Sequence, residues 1–204
     1  MTQLTEHWEQ IFQSKSDAEL GWFEQDFTQT FKFIEKAGVA PGATIFMPGA
    51  GTTKLVDELC DKGFQLVVND LSSQAIQLLQ QRLAHNQRVT SFVGSIAEPM
   101  PESFAVDFWL DRAVLHFLLE EKQIQGYFDN LKKSVKPGGF VLLAEFAKHG
   151  AKKCAGLELK QYDINDMQIR LGAEFQLVEG EEYTFVNPFN QDRPYVYGLF
   201  QRGF

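Results

Sequence analysis

Hydrophobic and polar positions change period repeatedly along the chain, and the changes mark out its elements. Over residues 1–38 the apolar side chains Leu4, Trp8, Ile11 and Phe12 recur at helical spacing, as do Phe23, Phe27, Phe31 and Ile34. That predicts helices joined by the polar loop QSKSDAELGW. A short apolar run at 44–47 follows, then the tight turn Pro48-Gly49-Ala50-Gly51, a helix over 52–61, and a second apolar run at 64–68 ending in Asn69-Asp70. The segment LSSQAIQLLQQRLAHNQ is amphipathic, with Ser72 or Ser73 as its N-cap. A third strand at 90–93 runs into Gly94-Ser95-Ile96, and Pro99 and Pro101 mark a loop. Residues 104–110 are nearly all apolar, as a strand buried on both faces should be, and end in Asp111-Arg112. A helix over 122–135, the turn Lys136-Pro137-Gly138-Gly139 and a fifth strand at 140–146 complete the alternation.

The end of the chain changes character. A basic, irregular stretch at 148–161 leads to a helix over 164–171 and two β-like runs, 175–185 and 195–201, joined by the turn NPFNQDRP. Strands alternating with helices predict a doubly wound α/β sheet, and the late hairpin adds one reversed strand to it. With 204 residues the chain makes one domain, divided into a helical cap over 1–38 and a sheet core over 39–204.

Composition narrows the function classes. The net charge of −8 argues against nucleic-acid or anionic-membrane partners. No apolar run approaches the roughly 18 residues of a membrane span. The polar start MTQLTEHWEQ is unlike a signal peptide, so a cytoplasmic location is expected. Cys60 and Cys154 form no C-x-x-C and imply neither a disulfide scaffold nor a metal site; Cys60 reads as core. The 19 phenylalanines predict an aromatic core or pocket.

The stretch TIFMPGAGTTKLVDELCDKGFQLVVND, residues 44–70, orders strand, glycine turn, helix, strand and acid, which is one half of a nucleotide-binding sheet. Glycines let backbone approach a ligand closely, and the helix start offers free N–H groups. An acid at the next strand tip can accept both hydroxyls of a ribose. A dinucleotide fingerprint needs a third glycine where Lys54 stands, so a nicotinamide oxidoreductase is disfavoured.

Five features in order carry a family resemblance. They are Met-Pro-Gly-Ala-Gly at 47–51, Asp70, Ser95-Ile96, the run from Phe108 to Arg112, and Lys136-Pro137-Gly138-Gly139. Together they resemble the class I S-adenosylmethionine-dependent methyltransferases over nearly the whole chain. The resemblance implies a Rossmann-like, seven-stranded, mostly parallel sheet with helices on both faces, an antiparallel last strand and an N-terminal helical cap. It also implies S-adenosyl-L-methionine as cofactor, with S-adenosyl-L-homocysteine as product. Its cofactor residues fall on Pro48, Gly49, Ala50, Gly51, Asp70, Leu71, Ser95, Ile96 and Asp111, with Trp22 at the pocket edge.

Within that class the chain is similar to the thiopurine S-methyltransferase-like group and related bacterial enzymes. His7-Trp8 with Trp22, Pro-Gly-x-Gly, and Asp111-Arg112-Ala113 running into Leu115-His116-Phe117 carry the narrower match, with Cys154-x-Gly156-Leu157 and Tyr162-Asp163. Two positions depart from the pattern: Met47 replaces an acid two residues before the first glycine, and Ser95 stands where Asp often contacts adenine. Both imply modest cofactor affinity.

Methyl transfer from a sulfonium needs alignment and exclusion of water more than a protein nucleophile. Asp111, Arg112 and His116, at the fourth-strand tip, are the candidate catalytic residues. Asp111 is expected to orient the cofactor amine or the acceptor, or else to cap the next helix. Arg112 suits an acidic substrate group held bidentately, or a structural ion pair. His116 is a candidate base, or a packed core histidine. Lys152-Lys153 reads as solvated charge, and Phe189 with Tyr195 as an aromatic lid or ordinary hairpin packing. The leading expectation is methylation of a small molecule on sulfur or another soft nucleophile. A protein lysine or amine methyltransferase and a non-catalytic cofactor-binding module remain as alternatives, and the oligomeric state stays open.

Overall fold

The computed structural model describes residues 3–84 and 86–204. The cap consists of α1 (Gln3–Ser14) and α2 (Thr28–Ala37). The core runs β1 (Thr44–Met47), α3 (Leu55–Asp61), β2 (Gln65–Asp70), α4 (Ser73–Leu83), β3 (Val89–Val93), β4 (Val106–Arg112), α5 (Glu121–Ser134) and β5 (Val135–Phe146). A small hairpin, β6 (Lys153–Cys154) with β7 (Leu157–Glu158), precedes α6 (Ile164–Leu171), β8 (Phe175–Val186) and β9 (Asp192–Arg202).

Seven strands form one sheet in the order β3-β2-β1-β4-β5-β9-β8. All run parallel except β9, which is antiparallel to both β5 and β8. Strand residues divide by parity between two cores. Ile45, Phe108, Leu110, Leu142 and Ala144 pack with Phe33 of α2, Leu55, Val56 and Leu59 of α3, and Leu79 of α4. Phe46, Trp109, Val141 and Leu143 pack with Ile124, Phe128 and Leu131 of α5 and Met167 of α6. Both faces are covered, which is why the central strands are apolar without alternation.

The differences from the sequence reading lie at element ends. The helix expected from 52 begins at Leu55, because Thr52 and Thr53 belong to the glycine turn and Lys54 is the N-cap. β2 extends to Asp70, since Asn69 and Asp70 pair with Phe92 and Val93. Ser72 is the N-cap of α4, its side chain accepting from Ala75 N–H. Residues 136–139, expected as a turn ahead of the fifth strand, instead bulge out of a strand that has already begun. Val135 pairs with Val106, and the next pair is Phe140 with Phe108. Gly138 takes φ +76 there, and Lys136 Nζ meets Asp107 Oδ1 at 2.7 Å. No helix among the described residues is long and apolar enough to cross a membrane.

Candidate cofactor and acceptor site

A cavity of about 600 Å³ opens where β1, β2 and β4 end and the cap folds over them. This volume falls within the usual range of small-molecule sites. The carboxyl ends of parallel strands around a change in strand order are where such sheets bind ligands.

The glycine turn forms one wall. Gly49 and Gly51 take φ +54 and +53, a region that L-residues avoid. A Cβ on Gly49 would overlap the Val114 Cγ2 methyl, and one on Gly51 would stand 3.1 Å from Phe12 Cζ. Asp70 Oδ2 accepts from Gly51 N–H at 2.8 Å, and Oδ1 from Ser72 N–H at 2.8 Å. Burial pushes Asp70 up to about 6, against those two hydrogen bonds; the nearby Glu9 charge raises it further. Asn69 donates through Nδ2 to Gly94 O at 2.8 Å, while its buried Oδ1 on the same wall has no partner among the described residues. Ser95 Oγ accepts from Ala97 N–H at 3.2 Å, which leaves its own O–H free to turn toward the cavity.

Every cofactor residue expected from the sequence lines this cavity except Asp111: Trp22, Pro48, Gly49, Ala50, Gly51, Asp70, Leu71, Ser95 and Ile96. A buried carboxylate, an unpartnered amide oxygen and a backbone bare of Cβ atoms fit an adenosyl group with hydroxyls and an amine.

The cap forms the opposite wall. Trp8 is its hub, edge-on to Trp22 at 5.5 Å and to Phe117 at 5.1 Å between ring centroids, and 6.4 Å from Phe12. Polar ties fix the cap to the core. Glu9 receives the N–H groups of Ser73 and Gln74 and both serine hydroxyls at the start of α4. Thr52 Oγ1 donates to Asp17 Oδ1 at 2.5 Å, and His7 Nε2 meets Ala155 O at 2.9 Å.

The expected catalytic residues take less direct positions. Arg112 lines the cavity but gives both terminal nitrogens to Glu24, the Nη2 bond being 2.7 Å, with Thr30 Oγ1 also in reach. Burial opposes its charge, yet Glu24 more than offsets this and keeps it ionised. Bidentate capture of a substrate acid is therefore closed while that pair stands. Asp111 has no exposed area and lies outside the cavity lining, its oxygens taken by Val114 and Leu115 N–H and the Tyr127 hydroxyl. His116 belongs to the wall but exposes no area, and burial pushes its imidazole down to about 3, so it is neutral. The 2.7 Å approach of its Nδ1 to Glu145 Oε2 is accordingly a contact between uncharged imidazole and carboxyl, not an ion pair.

Of the aromatic lid pair, Tyr195 lines the cavity, stacked on Phe146 at 4.6 Å. Phe189 is exposed, and its ring lies where a Gly21 side chain would reach. Lys152 and Lys153 are exposed and outside the cavity.

Glu24, Glu145, Tyr127 and Phe117 were not anticipated. Glu24 sits in a polar loop with no motif, and Glu145 hides as the one acid in the apolar run FVLLAEF, a signal that a buried strand carries a charge for a reason. Ala113, between Arg112 and Val114, takes φ +69, a conformation costing an L-residue roughly 1–2 kcal/mol.

A methyltransferase-domain family model matches residues 48–141. The match identifies a methyltransferase domain over that stretch of the chain. Over 148 residues it is 25% identical to the eEF1A lysine and N-terminal methyltransferase homolog of Drosophila melanogaster. That match covers 66% of this chain and 21% of the relative, so the chain spans about a fifth of that relative's length. Its fold resembles that of a protein whose structure concerns the conversion of a disulfide bond into a thioacetal group during echinomycin biosynthesis (TM-score 0.77, 16% identity, 98% of this chain and 92% of that one). It also resembles N-methyltransferase NodS of Bradyrhizobium japonicum WM9 bound to S-adenosyl-L-homocysteine (TM-score 0.71, 15% identity, 96% and 98% covered). At such identities the likeness is one of fold.

Proposed function

We propose that the chain methylates a small-molecule acceptor, with a thiol or another soft nucleophile as the favoured acceptor atom. The observation that carries this reading is that no accessible base accompanies Trp8, Trp22 and Phe117; the exposed carboxylate of the lining, Glu98, follows the 94–96 segment of the other wall. Asp111 and His116 expose nothing, and Glu24 is held by Arg112. A thiol forms its nucleophilic thiolate close to neutral pH, whereas an ammonium must first lose its proton to a positioned base. The thiopurine S-methyltransferase-like features in the sequence, among them His7-Trp8 and Trp22, support the same direction, as does the sulfur chemistry named for the first structural neighbour.

The sulfonium cofactor supplies an electrophilic methyl group. Asp70 and the 49–51 backbone would hold its ribose side, and Leu71, Ser95 and Ile96 its adenine. Trp8, Trp22 and Phe117 exclude water and offer π-faces to positive charge, a preference shared by the carboxylates of Asp70 and Glu98 on the cavity wall. Tyr195 and Phe117, which line the same cavity, would confine the acceptor.

A second reading is methylation of a protein amine, favoured by the name of the Drosophila relative and by the net charge of −8, which suits a basic target. The test is S-adenosyl-L-homocysteine release with a panel of thiols, amines and carboxylates and with protein extracts. Turnover of thiols above all others is expected. Turnover confined to protein amines would overturn the small-molecule reading.

A further inference from the structure

Two carboxyl groups lie beneath the segment 113–117 and take no part in the binding described above. Asp111 ends β4 and Glu145 lies near the end of β5, and neither exposes any area. Asp111 Oδ1 accepts from Val114 N–H at 3.0 Å; its Oδ2 accepts from Leu115 N–H at 3.2 Å and the Tyr127 hydroxyl at 2.5 Å. Trp109 Nε1 in turn donates to Tyr127 Oη at 2.9 Å. Glu145 Oε2 accepts from His116 N–H at 3.2 Å. The peptide N–H groups of 114, 115 and 116 thus all end on buried carboxyls, just after the left-handed Ala113. This segment carries the Val114 methyls against Gly49 and the Phe117 ring against Trp8. It touches both walls of the cavity.

We infer that Asp111 and Glu145 are positioning residues that fix this turn and through it the distance between the glycine wall and the aromatic wall. The inference rests on reading the cavity as the cofactor and acceptor site.

Two adjacent carboxyls in an apolar interior cannot both ionise cheaply. Burial raises both, Glu145 to about 8, and the Glu145 charge lifts Asp111 further. Glu145 is faced by Asp111 and Arg112 from β4, His116 from the turn, Tyr127 from α5 and Tyr162 from the segment before α6. Arg112 is the cation of this set, and its charge is engaged by Glu24; His116 is neutral. Loss of the proton therefore leaves a second negative charge under the turn without its own counter-ion. Because the folded-state value lies above the unfolded one, the Glu145 contribution to stability is complete below about 4.5 and is lost as pH rises toward about 8. The turn is expected to loosen on the alkaline side.

The test is calorimetric binding of S-adenosyl-L-homocysteine to the full chain between pH 6 and 10, with tryptophan emission of the ligand-free protein followed in parallel. Wild type is expected to lose tenfold or more in affinity across pH 8, with a matching change in emission as Trp8 parts from Phe117. Glu145→Gln, which mimics the protonated acid, is expected to flatten both profiles. Glu145→Leu, which leaves the His116 N–H unserved, is expected to bind at least tenfold more weakly at every pH. A Glu145→Gln protein whose profiles still break at pH 8 would overturn the inference, as would a wild type with no break. If wild type binds no S-adenosyl-L-homocysteine at any pH, the cofactor reading fails, and the emission profiles of wild type and Glu145→Gln still decide the role of the turn.

Discussion

The two walls of the cavity are built on different principles. The glycine wall is made of strand ends and the turns that follow them: 47–51 after β1, 69–71 at the end of β2, and 94–96 after β3. Sheet pairing holds those segments in register, and what they present to the cavity is largely turn backbone and the Asp70 carboxylate. The aromatic wall is made of side chains from Trp8, Trp22, Phe117 and Tyr195, brought together from four distant stretches. What holds it is a handful of polar ties between cap and core. A backbone wall tolerates wide sequence change as long as its glycines remain; a side-chain wall can be rebuilt for another acceptor without disturbing the first.

The strongest way to break that comparison is at the Glu24–Arg112 tie. Removing one member of a buried pair strands the other charge, at about 3–5 kcal/mol. At ~2–4 °C per kcal/mol for a chain of this size, Glu24→Ala should lower the melting temperature by about 6–20 °C in calorimetry. If the walls are separable, S-adenosyl-L-homocysteine affinity measured well below that transition should stay within about threefold; an equal collapse of affinity would show one cooperative site.

Next in size is Asp70→Ala, which attacks the glycine wall alone. Truncating one partner of a buried, hydrogen-bonded charge typically costs about 2–5 kcal/mol, which is roughly 30-fold or more in the dissociation constant of S-adenosyl-L-homocysteine by calorimetry. Because burial holds Asp70 near 6, wild-type affinity should also fall as pH drops through that value, when the carboxylate gains a proton and can no longer accept as an anion. The variant should lack that acid limb, and its persistence would assign the limb elsewhere.

The smallest effect sharpens the boundary of the site. Lys153 is exposed and only 3.7 Å from Glu158, a surface pair worth about 0–1 kcal/mol. Lys153→Ala should leave turnover and melting temperature unchanged; a large rise in the acceptor KM would extend the site to the β6–β7 hairpin.

The same contrast explains what could be read from the sequence. The glycine wall is local in sequence, since strand, turn and acid follow one another from 44 to 70, and the residues named there line one cavity. The doubly wound sheet and its reversed strand followed from the alternation and the late hairpin, while the strand order came only with the structure. The aromatic wall was legible only in part, because periodicity places Trp8 on a helix but cannot say that Phe117, more than a hundred residues away, will meet it. Asp111, Arg112 and His116 stood out as polar residues at a strand tip. That pattern cannot tell a residue facing the ligand from one serving the backbone beneath it. Their partners Glu24, Glu145 and Tyr127 lie in three other elements, and only packing reveals them.

The strand order also has a consequence for synthesis. β5 pairs along Phe140–Phe146 with β9, and that partner follows only after the small hairpin, α6 and β8. At 5–20 residues per second, a ribosome leaves the apolar edge of β5 without its neighbour for roughly 3–11 s. Through that interval the nascent chain presents an open row of backbone donors and acceptors along the apolar run FVLLAEF, the kind of edge that seeds aggregation. The reversed strand thus acts as a late seal, and truncations or rare-codon pauses upstream of it should show up first as insoluble protein.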